Sequence, residues 1–307
     1  MQIEFKNVSY RYQQGTAFET SAIENINLCI PDYRFVAVMG ETGSGKTTAL
    51  QLVKGLLKPT DGEIIYHLGE YSENREATIV YSHQKQAKAI RTSLERVWSK
   101  IGYMFQYPEH QLFEETVALD IAYGPKNLGY TQEKTEQSVR SALETVGLDY
   151  GEYANRSPFA LSGGQMRRVA MAGILAIHPE MLILDEPLSG LDPVGRIRLM
   201  DTISDLHHKQ KMTTLCVTHH LDEVWEYADY FLIFSDKQLA FAGNRQEILR
   251  KWEQKMLQIA PPSVVALALR LQEKGILKTE LSSLEAELSA ESAFAEYICQ
   301  HLLPFRT

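Results

Sequence analysis

The sequence predicts an α/β fold with a mostly parallel core sheet, an antiparallel β subdomain, a helical subdomain and a small C-terminal helical domain. Three observations predict it. Short apolar runs at Phe35-Val36-Ala37-Val38-Met39, Met181-Leu182-Ile183-Leu184 and Thr214-Leu215-Cys216-Val217 are bounded by small or charged residues, each followed by a helical pattern. Continuous apolar strands interleaved with helices read as a sheet covered on both faces. Residues 3–12 and 23–30 instead alternate apolar and polar, the period of half-buried antiparallel strands. After about Gly243 the composition changes, with Pro261-Pro262 followed by apolar residues at helical spacing over 264–273 and 284–303.

Taken in order, the opening strands are joined by a polar turn at 13–20, and the first apolar run leads into a helix over 48–56. Residues 69–99 turn polar and mixed in charge and read as a surface excursion ending in a helix. Helical spacing dominates 116–146, with breaks expected near Gly124-Pro125 and Gly129. A further helix is expected over 166–177, before the second apolar run. There is no internal repeat and no low-complexity tract.

Composition narrows the function classes. With 307 residues, 44% of them hydrophobic, the chain buries a main core plus an extension and is not disordered. A net charge of -8 argues against a duplex-binding face, which needs clustered Lys and Arg to displace counterions, so nucleic acid is not an expected partner. Cys29, Cys216 and Cys299 are isolated, which suggests neither a zinc site nor a disulfide framework and fits a reducing cytosol. The polar N-terminus is unlike a signal peptide, and no window reaches the roughly 18 apolar residues of a membrane span.

The chemistry is carried by three motifs. Gly40, Glu41, Thr42, Gly43, Ser44, Gly45, Lys46 and Thr47 match G-x-x-x-x-G-K-[ST] between an apolar strand and the helical run that opens at Thr48. Glycines let the backbone curl so that N–H groups face phosphate oxygens; Lys46 adds a positive charge, and the Thr47 hydroxyl can ligate Mg²⁺. The strand ending in Asp185-Glu186 brings carboxylates to the ligand edge of the sheet, Asp185 for Mg²⁺ and Glu186 to polarise an attacking water. Ser162, Gly163, Gly164 and Gln165 open the helix over 166–177 and make a second anion-seeking helix start. One loop already holds one set of phosphates, so the simplest use of a second is to complete the site of a partner subunit.

Together with Gln106, Ser189-Gly190-Leu191-Asp192 and His219, these motifs follow the order and approximate spacing of the ATP-binding cassette (ABC) family, which the chain resembles. The resemblance implies a P-loop NTPase of the ABC nucleotide-binding type that binds ATP with Mg²⁺. Gln106 would contact Mg²⁺ and the attacking water, Asp192 would stand at the dimer interface, and His219 would act near the γ-phosphate. Lys46, Gln106, Glu186 and His219 form the catalytic set, and Thr47, Gln106 and Asp185 the metal set. Tyr12 would stack on adenine, although an aromatic residue is ordinary on a strand and Tyr10 is close by. His220 has no expected catalytic role.

Within the family, the chain resembles the ATPase subunits of energy-coupling factor (ECF) transporters, including the CbiO-type cobalt ATPases. The segments that carry this are Phe105-Gln106-Tyr107-Pro108-Glu109-His110-Gln111-Leu112-Phe113, Asp120-Ile121-Ala122-Tyr123-Gly124-Pro125 and Ser157-Pro158-Phe159. Gly15-Thr16-Ala17-Phe18-Glu19 and Gln165-Met166-Arg167-Arg168 resemble the A-prime member of a heteromeric pair. The resemblance implies a second ABC ATPase subunit of A type, a transmembrane T component, and an S component that binds a vitamin or metal ion, with this chain peripheral on the cytoplasmic face of the cell membrane. It places the nucleotide-binding domain at 1–245, with its helical subdomain at about 107–178. Residues 246–307 would be the C-terminal helical domain, resembling a dimerisation segment but equally compatible with core packing. Leu188 and His220 depart from the family pattern without removing a catalytic group. The rival readings are a cassette ATPase serving a non-transport assembly, an ATPase of another importer class, and a P-loop kinase.

Overall fold

The computed structural model describes residues 1–68, 77–84 and 88–302. Strand β1 (Gln2–Tyr12) pairs antiparallel with β2 (Thr20–Ile30), joining Ile3 to Ile30 and Tyr12 to Thr20. Strand β3 (Phe35–Gly40) runs into helix α1 (Lys46–Lys54), which begins two residues ahead of the expected start because Gly45, at φ 101°, ends the preceding turn. Strands β4 (Asp61–Leu68) and β5 (Ala77–Ser82) complete a four-stranded antiparallel sheet in the order β2-β1-β4-β5.

Helix α2 (Lys88–Trp98) follows, then β6 (Ile101–Met104). The polar stretch 69–99 is therefore not all surface excursion: Tyr81 of β5 is buried, and α2 buries Leu94 and Val97. Its parts at 69–76 and 85–87 lie outside the described residues.

A 3₁₀ turn at Pro108–Gln111 leads to α3 (Val117–Asn127), α4 (Gln132–Thr145), the single turn α5 (Tyr150–Tyr153) and α6 (Gly163–Leu175). The break expected at Gly124-Pro125 does not occur. Pro125 sits in the last turn of α3, and the chain turns only at Gly129, at φ 76°. Helix α6 starts three residues ahead of the expected 166, because Ser162 and Gln165 cap it reciprocally.

Strands β7 (Met181–Asp185) and β8 (Thr213–Val217) flank α7 (Pro193–Gln210). Contrary to the sequence pattern, β8 is followed only by a 3₁₀ turn, Leu221–Glu223, before β9 (Tyr230–Ser235) and β10 (Gln238–Asn244). The six-stranded sheet has the order β10-β9-β3-β8-β7-β6, parallel except for the edge hairpin β9-β10.

This sheet separates two cores, and the two-residue period of each strand decides which side a residue serves. Phe35, Ala37, Met39, Leu182, Leu184 and Cys216 face the helical side, whereas Val36, Val38, Met181, Ile183, Leu215 and Val217 face α1 and the antiparallel sheet. Burial on both faces explains why these strands read as continuous apolar runs.

The C-terminal segment holds α8 (Arg245–Glu253), α9 (Ser263–Glu273) and α10 (Glu291–Tyr297). The single helical run expected from 284 is replaced by 3₁₀ turns at Leu281–Leu284 and Glu287–Ser289, because Ala290 is extended (φ -145°, ψ 154°) and restarts the chain at α10. Leu249, Trp252, Val265, Leu281 and Phe294 join the same buried cluster as α7 and the helical side of the sheet. Asp222 Oδ1 accepts the Ser263 amide at 2.6 Å, and the Trp225 indole donates to the Leu288 carbonyl at 2.6 Å. No helix among the described residues is long and apolar enough to cross a membrane.

Candidate active site

The loop between β3 and α1 is shaped by glycines at φ 147° (Gly40), 82° (Gly43) and 101° (Gly45). A Cβ on Gly40 would lie 2.2 Å from the Phe234 carbonyl oxygen, and one on Gly45 2.5 Å from Ile23 Cγ2. Both positions therefore require glycine for backbone conformation and for space. Lys46 folds back over this loop, donating to the carbonyls of Gly40 and Glu41 at 2.8 Å each. Burial pulls its pKa down, and the carboxylates of Glu186 and Asp185 oppose that. The Ser44 hydroxyl is buried with no hydrogen-bond partner. A cradle closed to a Cβ at Gly40 and Gly45, with an orphaned hydroxyl and a cation, fits a phosphate group.

The carboxyl ends of the parallel strands converge beside this loop. Burial raises the pKa of Asp185, while hydrogen bonds from Tyr103 and Thr47 oppose the rise. The Tyr103 hydroxyl donates to Asp185 Oδ2 at 3.2 Å, and its own pKa is pushed up, first by burial and then by that carboxylate. An Asp carboxylate paired with a Thr hydroxyl is the hard-oxygen donor set that suits Mg²⁺, which needs few protein ligands when substrate phosphates supply the rest. Among the described residues no group of three or more His, Cys, Asp or Glu could hold a metal ion.

Glu186 sits at φ 50°, a left-handed backbone uncommon for a non-glycine residue. Gln106 Nε2 donates to its Oε2 at 2.7 Å, and His219 Nε2 lies 2.7 Å from its Oε1. Two predicted residues, from beyond the ends of β6 and β8, thus meet on the carboxylate of a third, at the end of β7. In this arrangement Gln106 is turned to Glu186.

Tyr12, 40% exposed, contacts the Thr48 hydroxyl at 3.2 Å and packs edge-on against Tyr10 at 4.9 Å. It lines a pocket of about 300 Å³ with Gly43, Gly45, Lys46, Thr47 and Thr48. Ser21 and Lys237 share that lining and carried no local motif.

Ser162, Gly164, Gln165 and Asp192 lie elsewhere, in a groove of about 820 Å³ between α6 and α7 that shares no lining residue with the P-loop pocket. Gln165 Oε1 accepts the Ser162 amide at 2.9 Å, and Asp192 Oδ1 accepts the Gly195 amide at 2.6 Å, capping α7. A Cβ on Gly163 or Gly164 would meet nothing, so these glycines leave the helix start open to an approaching group. Arg167, missed by sequence reasoning, is buried below this helix start and donates to the carbonyls of Pro187 and Ser189 at 3.0 and 2.6 Å.

A P-loop, a carboxylate-bearing strand edge and a second capped helix start on a separate face define an ABC-type ATPase. The ABC transporter family model matches residues 23–189. The chain is 39% identical over 288 residues to the energy-coupling factor transporter ATP-binding protein EcfA2 of Clostridium acetobutylicum, covering 93% of this chain and 95% of that one. It is 45% identical over 274 residues to the EcfA2 of Bacillus licheniformis, covering 89% and 90%. The cbiO1 of Clostridium perfringens, part of an ABC transporter complex cbiONQ, superposes with a TM-score of 0.66 at 28% identity, covering 89% and 96%.

The chain belongs to the ABC transporter family and, within it, to the energy-coupling factor transporter ATP-binding proteins. It is an ATP-binding, ATP-hydrolysing transport subunit, and neither the kinase nor the non-transport reading is favoured.

Proposed function

We propose that this chain is the A-prime-type ATPase of an ECF importer, pairing with a distinct A-type cassette beneath a transmembrane T component and an S component that binds a vitamin or metal ion. The observation that carries this is the separation of two anion-seeking structures within one chain. The P-loop pocket and the groove of Ser162 and Gly164 share no wall, so each is half of a composite site. In that dimer Gly40 to Thr48 hold the phosphates, Tyr12 stacks on the base, and Ser162, Gly163, Gly164, Gln165 and Asp192 face the nucleotide of the other cassette.

Thr47, Asp185 and Gln106 would hold Mg²⁺ together with substrate oxygens, and the ion would supply positive charge to the phosphates. Lys46 adds positive charge to the same oxygens. Glu186 accepts a hydrogen bond from the attacking water and orients it in line, while His219 and Gln106 fix that carboxylate. Residues 1–245 form the cassette, with helical subdomain 107–178, and 246–307 the C-terminal helical domain.

Exposed Phe105, Tyr107 and Phe113 lie in the loop segments between β6 and α3 that also carry Gln106, with Tyr123 in α3 and Phe159 in the 3₁₀ turn Pro158–Ala160, and Phe113 meets Tyr123 at 4.9 Å. Apolar side chains left in water near Gln106 suit a membrane partner's helix, which supports the proposed peripheral position on the cytoplasmic face of the membrane. The test is affinity purification of the tagged chain from solubilised membranes, with Glu186→Gln measured beside wild type. A co-purifying second cassette and polytopic protein, with ATP bound but not turned over by the variant, are expected. Recovery of no membrane protein under several detergents overturns the transporter assembly.

A further inference from the structure

Arg196, in the first turn of α7, holds two loops at once. Its Nε donates to the Leu191 carbonyl at 3.0 Å, within the turn 189–192, and its Nη1 pairs with Oε1 of Glu223 in the turn after β8. The second oxygen of Glu223 accepts the Thr218 hydroxyl at 3.3 Å, and that hydroxyl accepts the His220 amide at 3.0 Å. Residues on either side of His219 are thus tied to Glu223, while His219 itself lies 2.7 Å from Glu186. Glu186, Ser189, Arg196, His219 and Glu223 line one small cavity of about 170 Å³.

We propose that Glu223, gripped by Arg196, is a positioning residue for hydrolysis, coupling the turn 189–192 to the loop that presents His219 to Glu186. The inference rests on the roles proposed above for Glu186, His219 and the Asp192 turn. The side-chain hydrogen bonds of Glu223 go to Arg196 and Thr218 and not to Glu186 or His219, so it acts through geometry. Its carboxylate is only 16% exposed and has the Arg196 guanidinium as its cation partner. That cation comes from α7, whose Asp192 cap is part of the groove shared with Ser162. A pair that merely stapled α7 would join residues one helical turn apart; this one bridges α7 to a separate turn 27 positions distant in sequence.

Displacing a catalytic group by about 1 Å costs on the order of 100-fold in rate, and the loss of one of several constraints on His219 should move it by a fraction of that. The experiment measures steady-state ATP turnover of the full chain in the assembly with which it co-purifies, for wild type, Glu223→Gln, Arg196→Met, Arg196→Lys and the double variant Arg196→Met/Glu223→Gln. Glu186→Gln serves as the reference for the catalytic assignment. The expected result is a fall in kcat of about tenfold in Glu223→Gln and Arg196→Met, with KM for ATP within about twofold. The double variant should be no slower than the worse single, since both break one link, and Arg196→Lys should recover most of the rate.

Unchanged kcat in both singles, multiplicative losses in the double, or a change in KM with kcat intact overturns the coupling. If Arg196→Met does not fold, Glu223→Gln and Arg196→Lys decide the matter alone. Wild-type turnover in Glu186→Gln would instead strike the catalytic assignment, which keeps the two failures apart.

Discussion

His219 Nε2 and Glu186 Oε1 stand 2.7 Å apart, with Gln106 on the other oxygen at the same distance. Both oxygens of the carboxylate are therefore engaged by groups arriving from neighbouring strands. Removing one should spoil orientation while leaving the phosphate cradle untouched. His219→Ala is expected to lower kcat about 100-fold, the order of loss when a catalytic group is misplaced by about 1 Å, and Gln106→Ala about tenfold. Nucleotide titration beside turnover measurements checks this: a tenfold loss of ATP affinity with unchanged kcat in either variant would contradict the assignment.

The P-loop glycines should not be equivalent. All three have positive φ, but a Cβ at Gly40 meets a backbone carbonyl at 2.2 Å, whereas one at Gly43 meets nothing within 4 Å. Gly43→Ala should therefore cost only the left-handed penalty, about 1–2 kcal/mol. Gly40→Ala adds a clash that forces β3 away from β9 and should destabilise by more than about 3 kcal/mol. Denaturant midpoints of the two variants rank them, and equal loss of stability refutes the steric argument.

The motif residues were legible because each encodes its own local geometry. Glycines mark the curled loop, Ser162 and Gln165 form a cap three residues apart, and apolar runs mark strands buried on both faces. What escaped depends on contacts distant in sequence. Tyr103 reaches Asp185 across 82 positions and Arg167 reaches Ser189 across 22, so nothing near either residue signals its partner. Strand β5 was hidden because Ala77–Ser82 lies in a polar stretch and becomes a strand by pairing with β4. The helix break expected at Gly124-Pro125 failed for a different reason. Proline lacks a donor, but at Pro125 the cost is tolerated in the last turn of α3, where Gly124 packs closely on Ile177 of the neighbouring segment.

Arg167 offers a test of how the helical side is joined to the sheet edge. Its guanidinium is 8% exposed, serves two carbonyls, and lies 3.8 Å from Glu109 Oε2, which has no hydrogen-bond partner. Burial pulls its pKa down and Glu109 opposes that. Arg167→Met strands a carboxylate and two carbonyls together, and should cost about 3–5 kcal/mol. Adding Glu109→Gln should recover part of this, so the double variant is expected to be more stable than Arg167→Met alone. Chemical denaturation of the three variants checks it, and strictly additive losses would show that the two residues act independently.

Lys54 gives a stability signal with a definite sign in pH. At the end of α1 its ammonium donates to the Trp98 carbonyl at 2.6 Å and also bonds the Ile101 carbonyl, and burial lowers its pKa from 10.5 to about 8. Because the folded value lies below the unfolded one, the unfolded chain binds more protons between these limits, and stability must rise with pH across the window. The desolvation cost of the charged form is present in full below pH 8 and relieved as pH climbs toward 10.5. Lys54→Met removes this titration while also losing the two carbonyl contacts, a deficit that carries no pH dependence of its own. The difference in unfolding free energy, wild type minus Lys54→Met, should therefore increase steadily through that interval, where other lysines and tyrosines titrate alike in both proteins. A flat difference would mean that the Trp98 and Ile101 carbonyls hold the ammonium charged in the fold, offsetting its burial.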